Sequence, residues 1–241
     1  MTADHDKQKL RERIWNLLES EHAAPAGVHG KIPNFHGADR TADLLSARPE
    51  WQSAWTIKAN PDRAQRPVRV RALEDGKLLY VAVPKMATPQ PFYVLDPEAT
   101  DLSPDQAIEE ASDGNRTLIA ISEMSPVDLV ICGSVAVNRD GARIGKGAGY
   151  SDLEVALLTE AGLVTDETVI VAPVHQLQVV DDDLPTSGHD FRVDLIVTPD
   201  EVIECPSSRR PSGLIWEDLD ARKIAAIPIL TAMAKSRESG S

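Results

Sequence analysis

The stretch from Arg143 to Asp152, RIGKGAGYSD, holds the residues of this chain whose types and spacing are best suited to gripping an anion. Gly145, Gly147 and Gly149 alternate with Lys146 and Ala148. Glycine lets the backbone take positive φ and approach a ligand with no Cβ in the way, so successive N–H groups can turn inward around phosphate oxygens. A helix starting directly after the loop adds free N–H groups and the positive end of its dipole. Ser151 followed by Glu154 has the spacing of a capping box, Leu153, Leu157 and Leu158 supply an apolar face, and Gly162 supplies a stop. Arg143 and Lys146 bring full positive charge to the same place. The bland alternative is a Gly-rich turn between two elements. The pattern is neither a Walker A loop, which ends in Gly-Lys-Ser/Thr, nor the dinucleotide fingerprint G-x-G-x-x-G.

Other stretches carry candidate chemistry. Lys7 and Arg11 lie four apart on one helix face, where both can reach one anion or form a solvated basic stripe beside Glu12 and Glu19. Between Lys58 and Arg71 an acidic protein turns locally basic through Arg63, Arg66 and Arg69, which suits an anionic ligand group or pairing with surface carboxylates. His189-Asp190 precedes Asp194 and the strand-like DLIVT, a setting in which a carboxylate can meet a ligand or a Mg2+ ion shared with phosphates. His29 and His36, in the Pro25–Gly37 stretch, have no partner at metal-ligand spacing and read as surface or packing residues, and Asp181, Asp182 and Asp183 read as a solvated loop.

The elements that must position these groups follow from apolar periodicity. An amphipathic helix is expected over residues 6 to 21, with Leu10, Ile14, Leu17 and Leu18 on one side. A second helix covers Ala38 to Ala47, and Trp51 and Trp55 follow at core spacing. Strands are expected at Thr56–Ala59, Lys77–Val83, Phe92–Leu95, Thr168–Ala172 and Val193–Val197, and the run Val127–Val137 reads as one strand buried on both faces. Asn60-Pro61-Asp62 marks a turn, Lys58–Arg71 a loop leading into Val68, Val70 and Leu73, and residues 97 to 115 an acidic, helix-compatible segment. Strands alternating with helices indicate an α/β fold. One domain over 1–241 is expected, with a less certain tail from about Ser207 that carries Arg209-Arg210 and a final helix.

Composition narrows the function classes. A formal net charge of -13 sets a repulsive field against nucleic acid and anionic membranes. Cys132 and Cys205 are too few for a disulfide framework and form no C-x-x-C pair. The first residues lack the apolar core of a signal peptide, and Ile224–Ala234 is too short and Pro-broken to span a bilayer, so a cytoplasmic location is expected.

In this order the pieces resemble the 5-formyltetrahydrofolate cyclo-ligase family, the methenyltetrahydrofolate synthetases. Lys7, Leu10 and Arg11 match the family's opening helix. Asp140 to Asp152 match a strand ending in Asp-Gly-x-Arg-Leu-Gly-x-Gly-x-Gly-Tyr-Tyr-Asp. Pro185, His189, Asp190, Val193, Asp194, Ile196 and Thr198 match Pro-x-x-x-His-Asp-x-x-Val-Asp-x-Ile-x-Thr. The resemblance implies a Rossmann-like, mostly parallel sheet with helices on both faces and a reaction driven by ATP and Mg2+. Lys7, Arg11 and the loop Gly145, Lys146, Gly147, Ala148, Gly149, Tyr150 and Ser151 would hold the nucleotide, and Arg143 and Lys146 would carry the catalytic charge. Asp152 and Asp190 would hold the metal, and Asp62 and Tyr150 would meet the substrate.

The departures bear on the substrate half. Ser151 stands where the family has a second tyrosine, Ile131-Cys132-Gly133 replaces Val-Pro-Gly, and Asp62 takes the place of a pterin-binding glutamate one methylene longer. Three readings follow: a cyclo-ligase acting on the reduced folate, a divergent enzyme using the ATP loop on another anionic metabolite, and a non-catalytic nucleotide- or folate-binding protein. None specifies an oligomeric state.

Overall fold

The computed structural model describes residues 3–206, 210 and 212–239. The helices are α1 (Ala3–Ser20), α2 (Ala38–Ser46), α3 (Pro49–Ser53), α4 (Arg66–Glu74), α5 (Pro104–Ser112), α6 (Tyr150–Glu160), α7 (Ala221–Ala226) and α8 (Pro228–Ser239). The strands are β1 (Thr56–Ala59), β2 (Leu78–Ala82), β3 (Phe92–Leu95), β4 (Leu118–Ile119), β5 (Leu129–Ile131), β6 (Ala136–Asn138), β7 (Arg143–Ile144), β8 (Val169–Pro173), β9 (Val179–Val180), β10 (Leu195–Val197) and β11 (Val202–Glu204). Of the expected tail, Ser207 and Arg209 lie outside the described residues.

Eight strands form one sheet in the order β11-β10-β8-β5-β1-β2-β3-β4. The five central strands, β10 to β2, run parallel, and antiparallel strands close both edges. Side chains alternate between two cores, as the pleat requires. Leu79, Val81, Leu129, Ile131, Val171 and Leu195 pack against α2, α4 and α5, whereas Tyr80, Ala82, Val130, Ile170, Ala172 and Ile196 pack on the opposite face with Val155 and Leu158 of α6. The order β8-β5-β1-β2 places a topological switch between β1 and β5, where open α/β sheets bind ligands beyond their strand ends.

Several expectations need correction. The run Val127–Val137 is two strands: after β5 the chain turns at Gly133 and leaves the main sheet, and β6 joins β7 and β9 in a separate three-stranded sheet. The supposed loop before Leu73 contains α4, which starts at Arg66-Pro67; proline is pre-organised for a first helical turn, and Val68, Ala72 and Leu73 are buried. Trp51 is buried, but Trp55 is 61% exposed, because the helix between them stops at Ser53. Within the acidic 97–115 segment only Pro104–Ser112 is an α-helix.

One buried ion pair ties α6 to the sheet. Ile57 and Ala59 of β1 face one core, so Lys58 points to the other face, where its ammonium donates to Glu154 of α6. Both side chains are almost completely withdrawn from solvent. Asn60 Nδ2 donates to the same Glu154 carboxylate at 2.9 Å, while its Oδ1 accepts from Gly133 N at 3.0 Å and from Ser151 Oγ at 3.2 Å. A second tie holds the hairpin before the glycine loop. Gly141, at φ +80, accepts from Val193 N at 2.8 Å, and a Cβ built there would stand 2.4 Å from the Val193 carbonyl oxygen.

Lys58→Met should leave the Glu154 carboxyl group in the interior with no cation beside it, at a cost of about 3–5 kcal/mol in denaturant unfolding. Gly141→Ala should lower stability by about 2–3 kcal/mol, read as a lower urea midpoint at unchanged slope.

Candidate active site

The glycine loop crosses the carboxyl ends of the parallel strands. Gly147 and Gly149 take positive φ, +98 and +67, and α6 begins at Tyr150 with Gly149 as its N-cap and no side chain capping it. The expected capping box is absent. Glu154 is drawn inward to Lys58 and Ser151 to Asn60, which leaves the first N–H groups of α6 facing the loop. Gly162, at φ +71, follows the helix end as expected.

Two adjoining cavities share this loop as their wall, since Arg143, Gly145, Gly149 and Asp152 line both. The first, about 350 Å³, is strongly charged: Lys7, Arg11, Arg143 and Lys223 face Asp4, Asp152, Asp190, Asp218 and Asp220. The second, about 260 Å³, is more apolar and is formed by Asn60, Pro61 and Asp62 after β1, Val83, Pro84 and Lys85 after β2, Gly133 after β5, Tyr150 and Ile32. Lys85 and Met86 both have left-handed backbones, φ 59 and 50, with Lys85 on the cavity wall and Met86 fully buried among Leu153, Leu157, Ile227 and Leu230.

The α1 cations are not a solvated stripe. The helix starts at Ala3, earlier than its apolar pattern suggests, and Leu10, Ile14 and Leu18 pack under the small sheet. That docking turns Lys7, only 8% exposed, inward to Asp190 at 2.5 Å. Arg11 Nε donates to the Gly145 carbonyl at 2.8 Å, and a Cβ on Gly147 would lie 3.3 Å from the guanidinium carbon. Burial lowers the pKa of Arg11, against the opposing pull of Asp4 and Asp190.

Arg143 is buried, stacked 3.9 Å over the Phe191 ring and paired with Asp152 at 2.5 Å. Burial works to lower its pKa, but Asp152 and its other neighbours hold it above the ordinary value. Among the described residues its Nε and Nη1 have no hydrogen-bond partner, and Nη1 lies 3.3 Å from the place a Cβ would take on Gly145. Unpaired buried guanidinium N–H groups beside a glycine cradle fit the oxygens of a phosphate. Asp190 also accepts from Ser187 N at 2.6 Å. Mg2+ takes hard oxygens, one or two carboxylates together with phosphate oxygens, and Asp152 and Asp190 on one cavity wall fit that donor set. Among the described residues no group of three or more His, Cys, Asp and Glu could hold a metal ion.

Lys146 points across the loop to Asp62, Nζ to Oδ1 3.2 Å, so the two candidates face each other over the second cavity. Most of the basic run is used internally. Besides Lys58, Arg69 donates to the carbonyls of Asn60 and Asp62 and has its pKa lowered to about 10 by burial. Arg66 pairs with Asp105 and Arg71 with Asp43. Arg63 lines an outer groove together with Lys31, Asp62 and Lys146. The Pro25–Gly37 stretch docks on α1 through Trp15, whose Nε1 donates to Lys31 O at 3.0 Å, and this seats Ile32 at the cavity. Sequence reasoning missed Asn60, whose only signal was a turn proline after it, and Lys223, which arrives from the tail.

No helix among the described residues is long and apolar enough to cross a membrane. Among solved structures, the chain resembles the NMR structure of the Aquifex aeolicus 5,10-methenyltetrahydrofolate synthetase, with a TM-score of 0.54 at 18% identity over 87% of this chain and 95% of that one, a likeness of fold. It is 37% identical over 240 residues to the methenyltetrahydrofolate synthase domain-containing protein of Bos taurus, covering 96% of this chain and 63% of that protein. With the Mus musculus protein of that name it shares 38% identity over 230 residues, covering 93% of this chain and 62% of the relative. The chain thus spans less than two thirds of the length of these relatives. The model of the 5-formyltetrahydrofolate cyclo-ligase family matches residues 3–199, taking in α1, the glycine loop and the His189-Asp190 segment. The chain belongs to the 5-formyltetrahydrofolate cyclo-ligase family.

Proposed function

We propose that this chain converts 5-formyltetrahydrofolate to 5,10-methenyltetrahydrofolate at the expense of ATP, with Mg2+ as the companion ion. The observation that carries the reading is the single loop walling two unlike cavities, one charged and one more apolar, with Lys146 directed into the second. A transferring phosphoryl group has to pass between a polyanion and a largely flat, apolar acceptor, and this arrangement offers both berths side by side. The charged cavity has four cations against five carboxylates, so a triphosphate fits best when a divalent cation comes with it. Mg2+ would supply neutralisation of phosphate charge there, held by Asp152 and Asp190.

The chain's own groups would work by positioning and charge. Lys7, Arg11, Arg143 and the loop N–H groups hold phosphate oxygens. Asp62 and Tyr150 set the folate so that its formyl oxygen reaches the γ-phosphorus, and the bond to ADP breaks as the new O–P bond forms. Lys146 balances the charge on the group in flight. N10 then attacks the activated carbon of the iminium phosphate, loses its proton, and inorganic phosphate departs with the former formyl oxygen. A different anionic metabolite has less support, because Lys58, Arg66, Arg69 and Arg71 already have internal partners.

Mixing the protein with 5-formyltetrahydrofolate, ATP and Mg2+ should raise the near-ultraviolet absorbance of methenyltetrahydrofolate, and no rise at high protein concentration would sink the reading. Lys146→Ala should cut turnover by about 100-fold or more with an unchanged circular dichroism spectrum, since its part-exposed pair with Asp62 adds little stability.

A further inference from the structure

Building on the nucleotide half of that reading, we propose that Lys223, carried by the C-terminal helical hairpin, is an additional phosphate-binding residue of the nucleotide cavity. The family match ends at residue 199, so this cation comes from a part of the chain that the match does not reach. Its placement is built. Ile227 and Leu230 are buried against Leu153, Leu157 and Met86, with Leu219, Ile224 and Trp216 packed around them, so α7 and α8 are seated on α6 by an apolar contact. Leu214 N donates to Glu160 at 3.1 Å, and His189 Nε2 lies 3.2 Å from the Ile215 carbonyl oxygen, fixing the approach to the hairpin from two sides. The segment Asp218 to Lys223 then forms one wall of the charged cavity.

The lysine head lies inside the glycine loop's own space. Nζ donates to the Ala148 carbonyl at 2.9 Å and stands 5.4 Å from the centre of the Tyr150 ring. A Cβ on Gly149 would be 2.7 Å from it, so that glycine leaves the room which the ammonium fills. An ammonium has three donors, and one neutral carbonyl satisfies one of them. Burial lowers the pKa of Lys223, against Asp152 and Asp220. A phosphate oxygen held over Gly149 would give the remaining donors an anionic acceptor. Lys223 would then join Lys7 and Arg11, which come from α1, on the wall of the same cavity.

The test needs only ATP, AMP and Mg2+, with titration calorimetry as the readout and no folate present. Lys223→Gln keeps a donor for the Ala148 carbonyl but removes the charge. It should weaken ATP binding roughly 10- to 100-fold, weaken AMP binding much less, and leave the melting temperature of the free protein unchanged. Lys223→Arg should retain the preference for ATP, and Arg222→Ala, on the exposed side of α7, should bind like the parent. An unchanged ATP-to-AMP ratio in Lys223→Gln overturns the proposal and leaves the cyclo-ligase reading standing, as does an equal loss for both nucleotides. Failure of the parent protein to bind ATP overturns both.

Discussion

The buried pair of Lys58 and Glu154, with Asn60 bridging it, is the constraint on which the site depends. A charged residue in the middle of a central parallel strand costs free energy unless it is fully paired. Here the partner is supplied by the first turns of α6, so satisfying the strand's lysine requires that α6 start at one place above the sheet. Asn60 then spends its remaining capacity on the backbone after β5 and on Ser151. Two strand ends, those of β1 and β5, and one helix start are locked together. The glycine loop is thereby hung between two fixed points.

Such anchoring explains why the loop can afford glycine at all. Its other end is pinned by Gly141 against Val193, the same segment that delivers Asp190. Arg143 leaves the second pin as a nearly solvent-free guanidinium held by Asp152 and the Phe191 ring. Charges facing both cavities are therefore oriented before anything binds, and oriented charges need little reorganisation when negative charge builds up.

Much of the scaffold was legible in the sequence. Runs such as TIKA, LLYVA and FYVL announce strands because β-branched and aromatic residues cluster between turn signals; the first and third have the expected bounds in the fold, and the second is one residue shorter at each end. The loop, the α1 cations and the His-Asp segment were legible as candidate ligands, and docking does bring them to one place. What escaped has physical causes. The two- and three-residue strands β4, β7, β9 and β11 are too short for any period to show. The arginines of α4 hid its apolar face, and Gly133 inside a continuous apolar run disguised a change of sheet. Ser151 and Glu154 have capping spacing, but a buried lysine competes more strongly for the carboxylate than an exposed backbone N–H does. Lys223 had no local signal, because its meaning depends on a contact 75 residues away in the chain.

The two left-handed residues after β2 have a mechanical consequence. Lys85 faces the more apolar cavity, while Met86, its neighbour, is plugged into the apolar seat of the C-terminal hairpin. The same hairpin sends Lys223 to the charged cavity. Both berths therefore hang from one hinge pin of packed side chains, and neither wall can be let out without slackening the other.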